Sequence, residues 1–452
     1  MSHPAPIPAT NPAAPPFDAA PPARAEGRRR TAMLLMLAFI YSLNYLDRQI
    51  VIILQEPIKA DFHLKDWELG LLTGGAFGIF YTAMGIPIAQ VIDKGINRVR
   101  LIAGFTGAWS VMTAICGLTA SFGQFFAARM GVGLAEAGFA PAAHSLISDL
   151  YEPRERPAAA GLFAIGVPVG MMAGLSIGGI VAQMADWRTA LLLAGLPGIL
   201  IAVLFPILAR EPIRGASELR TGQSAQPQVH VGFLEGLRIL GSRPAFVHVI
   251  AGSAAFAFAM TGIATWMPSF FIRTYGMSLA QVGLGLGLIS GVCGAIGTWL
   301  GGWQGTRLAQ SGLHRIVWVP IAGVILCAPL YIAVLNMPTG QSALLLMIVP
   351  VTLGAFWTAP SIALTQSLSP VAMRARASAV YIVAANLIGV SMGPLAAGVL
   401  SDWFASLHNG DAARGLREAQ MALTVFFFVG AAHWAYVSRL LKREAAAGVP
   451  GV

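Results

Sequence analysis

Apolar runs of bilayer-crossing length follow one another along most of this chain, separated by short polar segments. A helix needs about 20 predominantly apolar residues to cross a membrane. In lipid only helices or closed barrels satisfy their own backbone. The pattern predicts an all-α membrane protein with twelve spans, over residues 31–55, 67–92, 99–118, 122–149, 157–183, 187–209, 245–272, 279–303, 315–335, 342–368, 376–401 and 420–441. Of 452 residues, 56% are hydrophobic and only 11% charged, against about 25% charged in a soluble domain. The net charge of +9 does not indicate nucleic acid, because the bases are spread through short loops. Cys116, Cys293 and Cys327 lie in apolar runs and are expected to pack within helices. With no zinc-ligand cluster, nucleophile elbow or phosphate-binding glycine loop, neither an enzyme, a metal nor a cofactor is expected.

The ends and the middle divide the chain. Residues 1–30 are rich in proline and alanine, end in Arg28-Arg29-Arg30, and are expected to form a disordered cytoplasmic tail. No separate h-region marks a signal peptide. Placing the N-terminus in the cytoplasm puts 21 of the 29 Lys and Arg on the inner side and six on the outer side. That bias orients both termini inward. The polar stretch 211–243 then separates a first bundle (31–210) from a second (244–441), with 442–452 as a cytoplasmic tail. The halves echo each other: Arg154-Glu-Arg156 precedes Gly166, Gly170, Gly174 and Gly178, and Arg374-Ala-Arg376 precedes Gly389, Gly393 and Gly398. Two six-helix halves on a linker are the layout of an alternating-access transporter. Asp66, and Ser278 with Gln281, are expected helix caps.

Charges inside the spans point to function. Asp47 and Arg48 sit in span 1, within Tyr41-Ser-Leu-Asn44-Tyr45-Leu-Asp47-Arg48. Charge at membrane depth costs several kcal/mol unless it is paired or wet. Span 4 carries Arg129, Gly133 and Glu136 on one helix face, at a depth similar to the span 1 pair. Two acids and two arginines can neutralise one another there, either as static packing or as a proton switch. Arginine stays charged, so the acids must titrate; sodium is an alternative ion. Spans 7–11 hold no Asp, Glu, Lys or Arg in their central regions, so coupling is expected in the first half. Phe256, Phe258, Met260, Trp266, Trp357, Tyr381 and Asn386 are candidates for an apolar cavity wall, facing Tyr41, Asn44 and Tyr45. Such a cavity suits an amphiphile with a charged head. His144 is read as a hydrogen-bonded structural histidine, and His433 receives no role.

The loop after span 2 reads Ala89-Gln-Val-Ile-Asp93-Lys94-Gly95-Ile-Asn97-Arg98. It resembles the cytoplasmic signature of the major facilitator superfamily, with Ala89 in place of a glycine and Asn97 in place of an arginine. Asp93, Lys94, Gly95 and Arg98 are expected to latch the halves on the inner side. In the second half Thr306 of Gly302-Trp-Gln-Gly-Thr306-Arg307 stands where the acid should be. Asn44-Tyr-Leu-Asp47-Arg48-Gln, Glu136-Ala-Gly-Phe-Ala-Pro-Ala, Ser148 to Arg156, Gly195-Leu-Pro-Gly198 and Arg210-Glu-Pro212 together resemble the spinster-like branch of that superfamily. The resemblance implies a monomeric, proton-driven transporter of lysophospholipid or sphingoid-type amphiphiles in a bacterial inner membrane, with Asp47, Arg48 and Glu136 coupling protons to substrate. The Tyr-x-Asp-Arg motif also resembles organic-anion symporters, which would use Arg48 to grip a carboxylate. A membrane receptor that has lost transport is the alternative of another class.

Overall fold

The computed structural model describes residues 23–214, 233–370 and 373–446. Twelve helical spans run through it. Span 1 is Ala23–Ile53, span 2 covers 66–93, span 3 is Arg98–Leu118, and span 4 is Phe122–Glu136 followed by Phe139–Leu150. Spans 5 to 8 are Arg156–Met184, Trp187–Leu208, Pro244–Tyr275 and Leu279–Ala309. Spans 9 to 12 are Leu313–Leu335, Gly340–Ser367, Arg376–Leu407 and Ala412–Ala446. Ten of them are long and apolar enough to cross a bilayer; span 2 and the broken span 4 complete the two six-helix bundles. Leu196, Leu200 and Ile207 of span 6 face outward, as the lipid side of a span requires.

Three differences from the expected boundaries have local causes. Span 1 starts at Ala23 rather than residue 31, because Ala, Arg and Glu are good helix formers and carry the helix back toward the tail. The linker contains a helix, Phe233–Gly241, with its residues 215–232 outside the described residues, as are 1–22 of the expected tail. Span 4 breaks at Ala137-Gly138, where Gly138 lies against the Phe105 ring with no room for a side chain.

Every even-numbered span begins on the face opposite the termini, here called the far face. Ser121, Asp186, Ser278, Thr339 and Asp411 cap spans 4, 6, 8, 10 and 12 through side-chain oxygens. Asp186 lies outside the spans; the Thr189 amide bonded to it holds its carboxyl below the usual range. Ser278 and Gln281 form the expected capping box. Span 2 is the exception. Asp66 is its first helical residue rather than its cap, and the free amides of Asp66 and Trp67 donate to Asp402 of span 11, at 3.1 and 2.8 Å.

The glycine stripes set how closely helices approach. Side chains at Gly166, Gly170 and Gly174 of span 5 would collide with the carbonyls of Ala38, Ser42 and Leu46, so span 5 lies directly on span 1. The second half repeats the arrangement: Gly389 and Gly393 of span 11 pack on Ala257 and Phe258 of span 7. This contact fixes span 1, and with it Asp47 and Arg48, against the first-half core.

Candidate functional site: a buried charge cluster

The first-half charges meet as the periodicity predicts. Arg48 Nε donates to Glu136 Oε2 at 2.7 Å. Asp47, Arg129 and Glu136 are each at most 2% exposed. Gly133 allows the approach, since a side chain there would meet the Phe77 carbonyl of span 2 at 2.7 Å. Arg129 lies within electrostatic reach of both acids. Asn44 is buried beside Glu136.

Three residues not anticipated from the sequence complete the cluster. Thr113 of span 3 donates to Asp47 Oδ2 at 3.0 Å. Phe77 and Tyr81 of span 2 place their rings 4.6 and 4.8 Å from the Arg48 guanidinium, and Tyr45 lies 4.9 Å from it on a third side. Aromatic faces attract a desolvated cation without neutralising it. The i, i+4 spacing of Phe77 and Tyr81 was the available signal; a lone threonine in span 3 gave none.

The cluster is incompletely satisfied. Asp47 Oδ1, Glu136 Oε1 and Arg129 Nε and Nη1 have no hydrogen-bond partner among the described residues. Buried polar atoms in folded proteins are nearly always paired with protein or ordered water, and here four such atoms of charged groups lie together.

The cavity candidates divide. Tyr41 stacks on Phe163 at 4.5 Å and meets the edge of Tyr45 at 5.3 Å, so both half-buried rings border the cluster. Trp357, Asn386 and Met260 are half-buried in the second half. Phe256 and Trp266 are fully buried. Phe256 packs among Trp357, Phe427 and Trp434, and Trp266 donates from Nε1 to the Pro394 carbonyl at 2.9 Å. These two hold spans 7, 11 and 12 together. Tyr381 is 5% exposed, packed near Trp357. His144 meets the Phe163 ring edge at 5.2 Å, a ring contact where a structural hydrogen bond was expected. His433, given no role, is hydrogen-bonded to His248 at 2.7 Å between Nδ1 atoms.

Arg98 does not reach across to the second half. It is 1% exposed and binds Asp149 Oδ2 at 2.5 Å, Glu211 Oε1 at 2.7 Å and Ser145 Oγ at 2.8 Å. Its planar fork is filled locally, tying spans 3, 4 and 6 together. Lys94 and Gly95 are exposed in the turn, where Gly95 has φ +92°; the Asp93 side chain lies outside the described residues.

The halves are joined instead on the far face. Arg273 of span 7 donates to both Asp66 oxygens, at 2.6 and 2.7 Å, and to Glu56 at 3.0 Å. Lys59 and Ser401 also bind Asp66, at 2.5 and 2.6 Å. Gln183 accepts from the Ala280 amide and Gln55 from Ser269, again across the halves.

Known proteins place the chain. A sequence profile described as Major Facilitator Superfamily matches residues 37–394. An "MFS-type efflux pump" of Mycolicibacterium smegmatis is 32% identical over 418 residues, covering 92% of this chain and 94% of that protein. Protein spinster homolog 1 of Homo sapiens is 28% identical over 425 residues, covering 89% and 79%. The crystal structure of a bacterial homolog to the human lysosomal transporter Spinster, inward-facing and unoccupied, superposes with a TM-score of 0.82 at 28% identity, covering 92% of this chain and 98% of that one. With its twelve spans in two bundles and the shared spinster-like segments, the chain belongs to the Major Facilitator Superfamily and is a spinster-like membrane transporter.

Proposed function

We propose that the protein is a proton-coupled secondary transporter that works by alternating access and moves an amphipathic substrate with a charged head. The observation that carries this reading is the buried cluster with open valences. In this state Arg48 rests on Glu136 while Asp47 is held only by Thr113. Asp47 is then the group free to take a proton. Movement of Arg48 from Glu136 to Asp47 would expel that proton and leave Glu136 to take one, so the position of one guanidinium links protonation to helix movement. The aromatic rings around Arg48 keep it desolvated in either position without fixing it to one acid.

The far-face ion pairs hold that side shut. If the termini are cytoplasmic, this is the inward-facing state, the state of the similar bacterial crystal structure. The charged first half and the aromatic second half would then form opposite walls of the substrate path, which fits a lysophospholipid or sphingoid-type molecule. The efflux pump it resembles supports export. A small organic acid is the competing substrate, favoured by the open Nε and Nη1 of Arg129, which could take a carboxylate.

The test is substrate-dependent proton movement in proteoliposomes. Lysolipids or sphingoid bases should move protons in the native protein and not in Glu136→Gln. Competition by soluble carboxylates with no effect of lipids would replace the amphiphile with an organic acid. Saturable binding without flux under any gradient would make the chain a receptor.

A further inference from the structure

The loop between spans 8 and 9 is where the second half should carry the acid of the superfamily signature, and it carries Thr306 instead. Thr306 turns its hydroxyl back to the Gly302 carbonyl at 2.9 Å. Residues 302–318 contain Arg307 and Arg315 and no Asp or Glu. Beside this loop the end of span 12 brings Lys442. Its near acid, Glu444, is taken by Arg243 at 2.9 Å. Leu308, His314, Arg315, Trp318 and Lys442 line an open surface recess of about 310 Å³ at the terminal face. Arg307, Arg315 and Lys442 make no ion pair among the described residues and are exposed.

Exposed tryptophans flank the pocket. Trp299, Trp303 and Trp318 are 67%, 43% and 50% exposed on the adjoining outer faces of spans 8 and 9. Exposed tryptophans on spans collect at headgroup level, where the ring is in acyl chain and the indole N–H is wet. Arg307, next to the lining residue Leu308, sits over the Trp303 ring at 3.8 Å. A cationic recess walled by Trp318 and flanked by exposed tryptophans matches a phosphodiester headgroup whose acyl chains would run down the outer faces of spans 8 and 9.

We propose that this pocket is a binding site for an anionic phospholipid, separate from the transport path, and that loss of the signature acid at Thr306 is what frees its cations. Nanodiscs containing phosphatidylglycerol or phosphatidylcholine, read by native mass spectrometry, test it. Phosphatidylglycerol should be retained on the native protein in preference to phosphatidylcholine. Juxtamembrane cations contribute about 1 kcal/mol each, so Arg315→Gln with Lys442→Gln should weaken retention about thirtyfold. Lys442→Arg should keep it. Arg100→Gln with Arg154→Gln, exposed cations on the first half's terminal face that do not line the pocket, should weaken it far less than the pocket pair. Equal loss in that control pair would reduce the effect to general surface attraction and overturn the proposal. Displacement of the lipid by millimolar glycerol 3-phosphate or inorganic phosphate would also overturn it, making this a free-anion site. Unchanged retention in the pocket variant would overturn it outright.

Discussion

Two buried charge clusters bridge helices in this molecule, and they are finished to different degrees. On the far face, Asp66 has Arg273, Lys59 and Ser401 on its carboxylate, and Asp402 completes the helix start beside it. At mid-depth, Asp47 has one partner, Glu136 has one formed ion pair, and Arg129 leaves Nε and Nη1 open. Both clusters take charge out of water, which is costly without full hydrogen bonding. A completed network holds one arrangement well. An incomplete one has several arrangements of similar energy, which a device that exchanges protons requires. The far-face cluster therefore reads as a clasp and the mid-depth cluster as a switch.

The largest effect expected from this contrast is in the switch. Asp47→Asn or Glu136→Gln should reduce gradient-driven transport by about a hundredfold or more, the scale of losing a positioned proton-transfer group. Asp47→Asn should keep thermal stability near native, because Asp47 holds only the Thr113 hydrogen bond. Glu136→Gln breaks the Arg48 ion pair and should lower it, so flux is compared per folded protein. Flux in proteoliposomes alongside a melting curve checks both; native flux in both variants would end the switch reading.

Next comes the clasp. Arg273→Gln removes the cation from between Asp66 and Glu56 and should cost the far-face-closed state about 3–5 kcal/mol. Cysteine probes on the far face should become reactive, while the proton-coupling ratio of any remaining transport is unchanged. Altered coupling with unaltered accessibility would invert the assignment of the two clusters.

Arg98→Lys is a milder test, on a third network that lies inside one half. It keeps charge but loses the fork that spans Asp149, Glu211 and Ser145. A loss of about 1.5–3 kcal/mol of stability is expected, with no change in far-face accessibility. Opening of the far face in this variant would show that the signature loop does act between halves.

The smallest expected change is Thr113→Val. It withdraws one donor from Asp47, worth about 0.5–1.5 kcal/mol. It should shift the pH profile of transport while leaving maximal flux within a fewfold. An unaltered profile would mean Asp47 does not titrate during the cycle.

Much of this was legible in the sequence because it is local. Run length gave the spans, and the spacing of Arg129, Gly133 and Glu136 gave one face. The Gly166 to Gly178 series was legible as half of an internal echo, but its close contact with span 1 was not. Partners distant in sequence were not legible. Asp66 looks like a cap from its sequence neighbours, and nothing beside Arg98 in the chain shows what it binds. Their partners, Arg273 for the one and Asp149 and Glu211 for the other, lie far along the chain.

The sequence by itself determined that this chain crosses a membrane many times in two matched halves and buries Asp47, Arg48, Arg129 and Glu136 in the first. Membrane insertion and helix periodicity depend only on residues within one or two turns of each other. Which buried charges are fully paired and which are left open was decided by the tertiary structure alone. That outcome depends on how closely separate helices approach, on the glycines that permit it, and on side chains such as Thr113 and Asp402 that arrive from other spans.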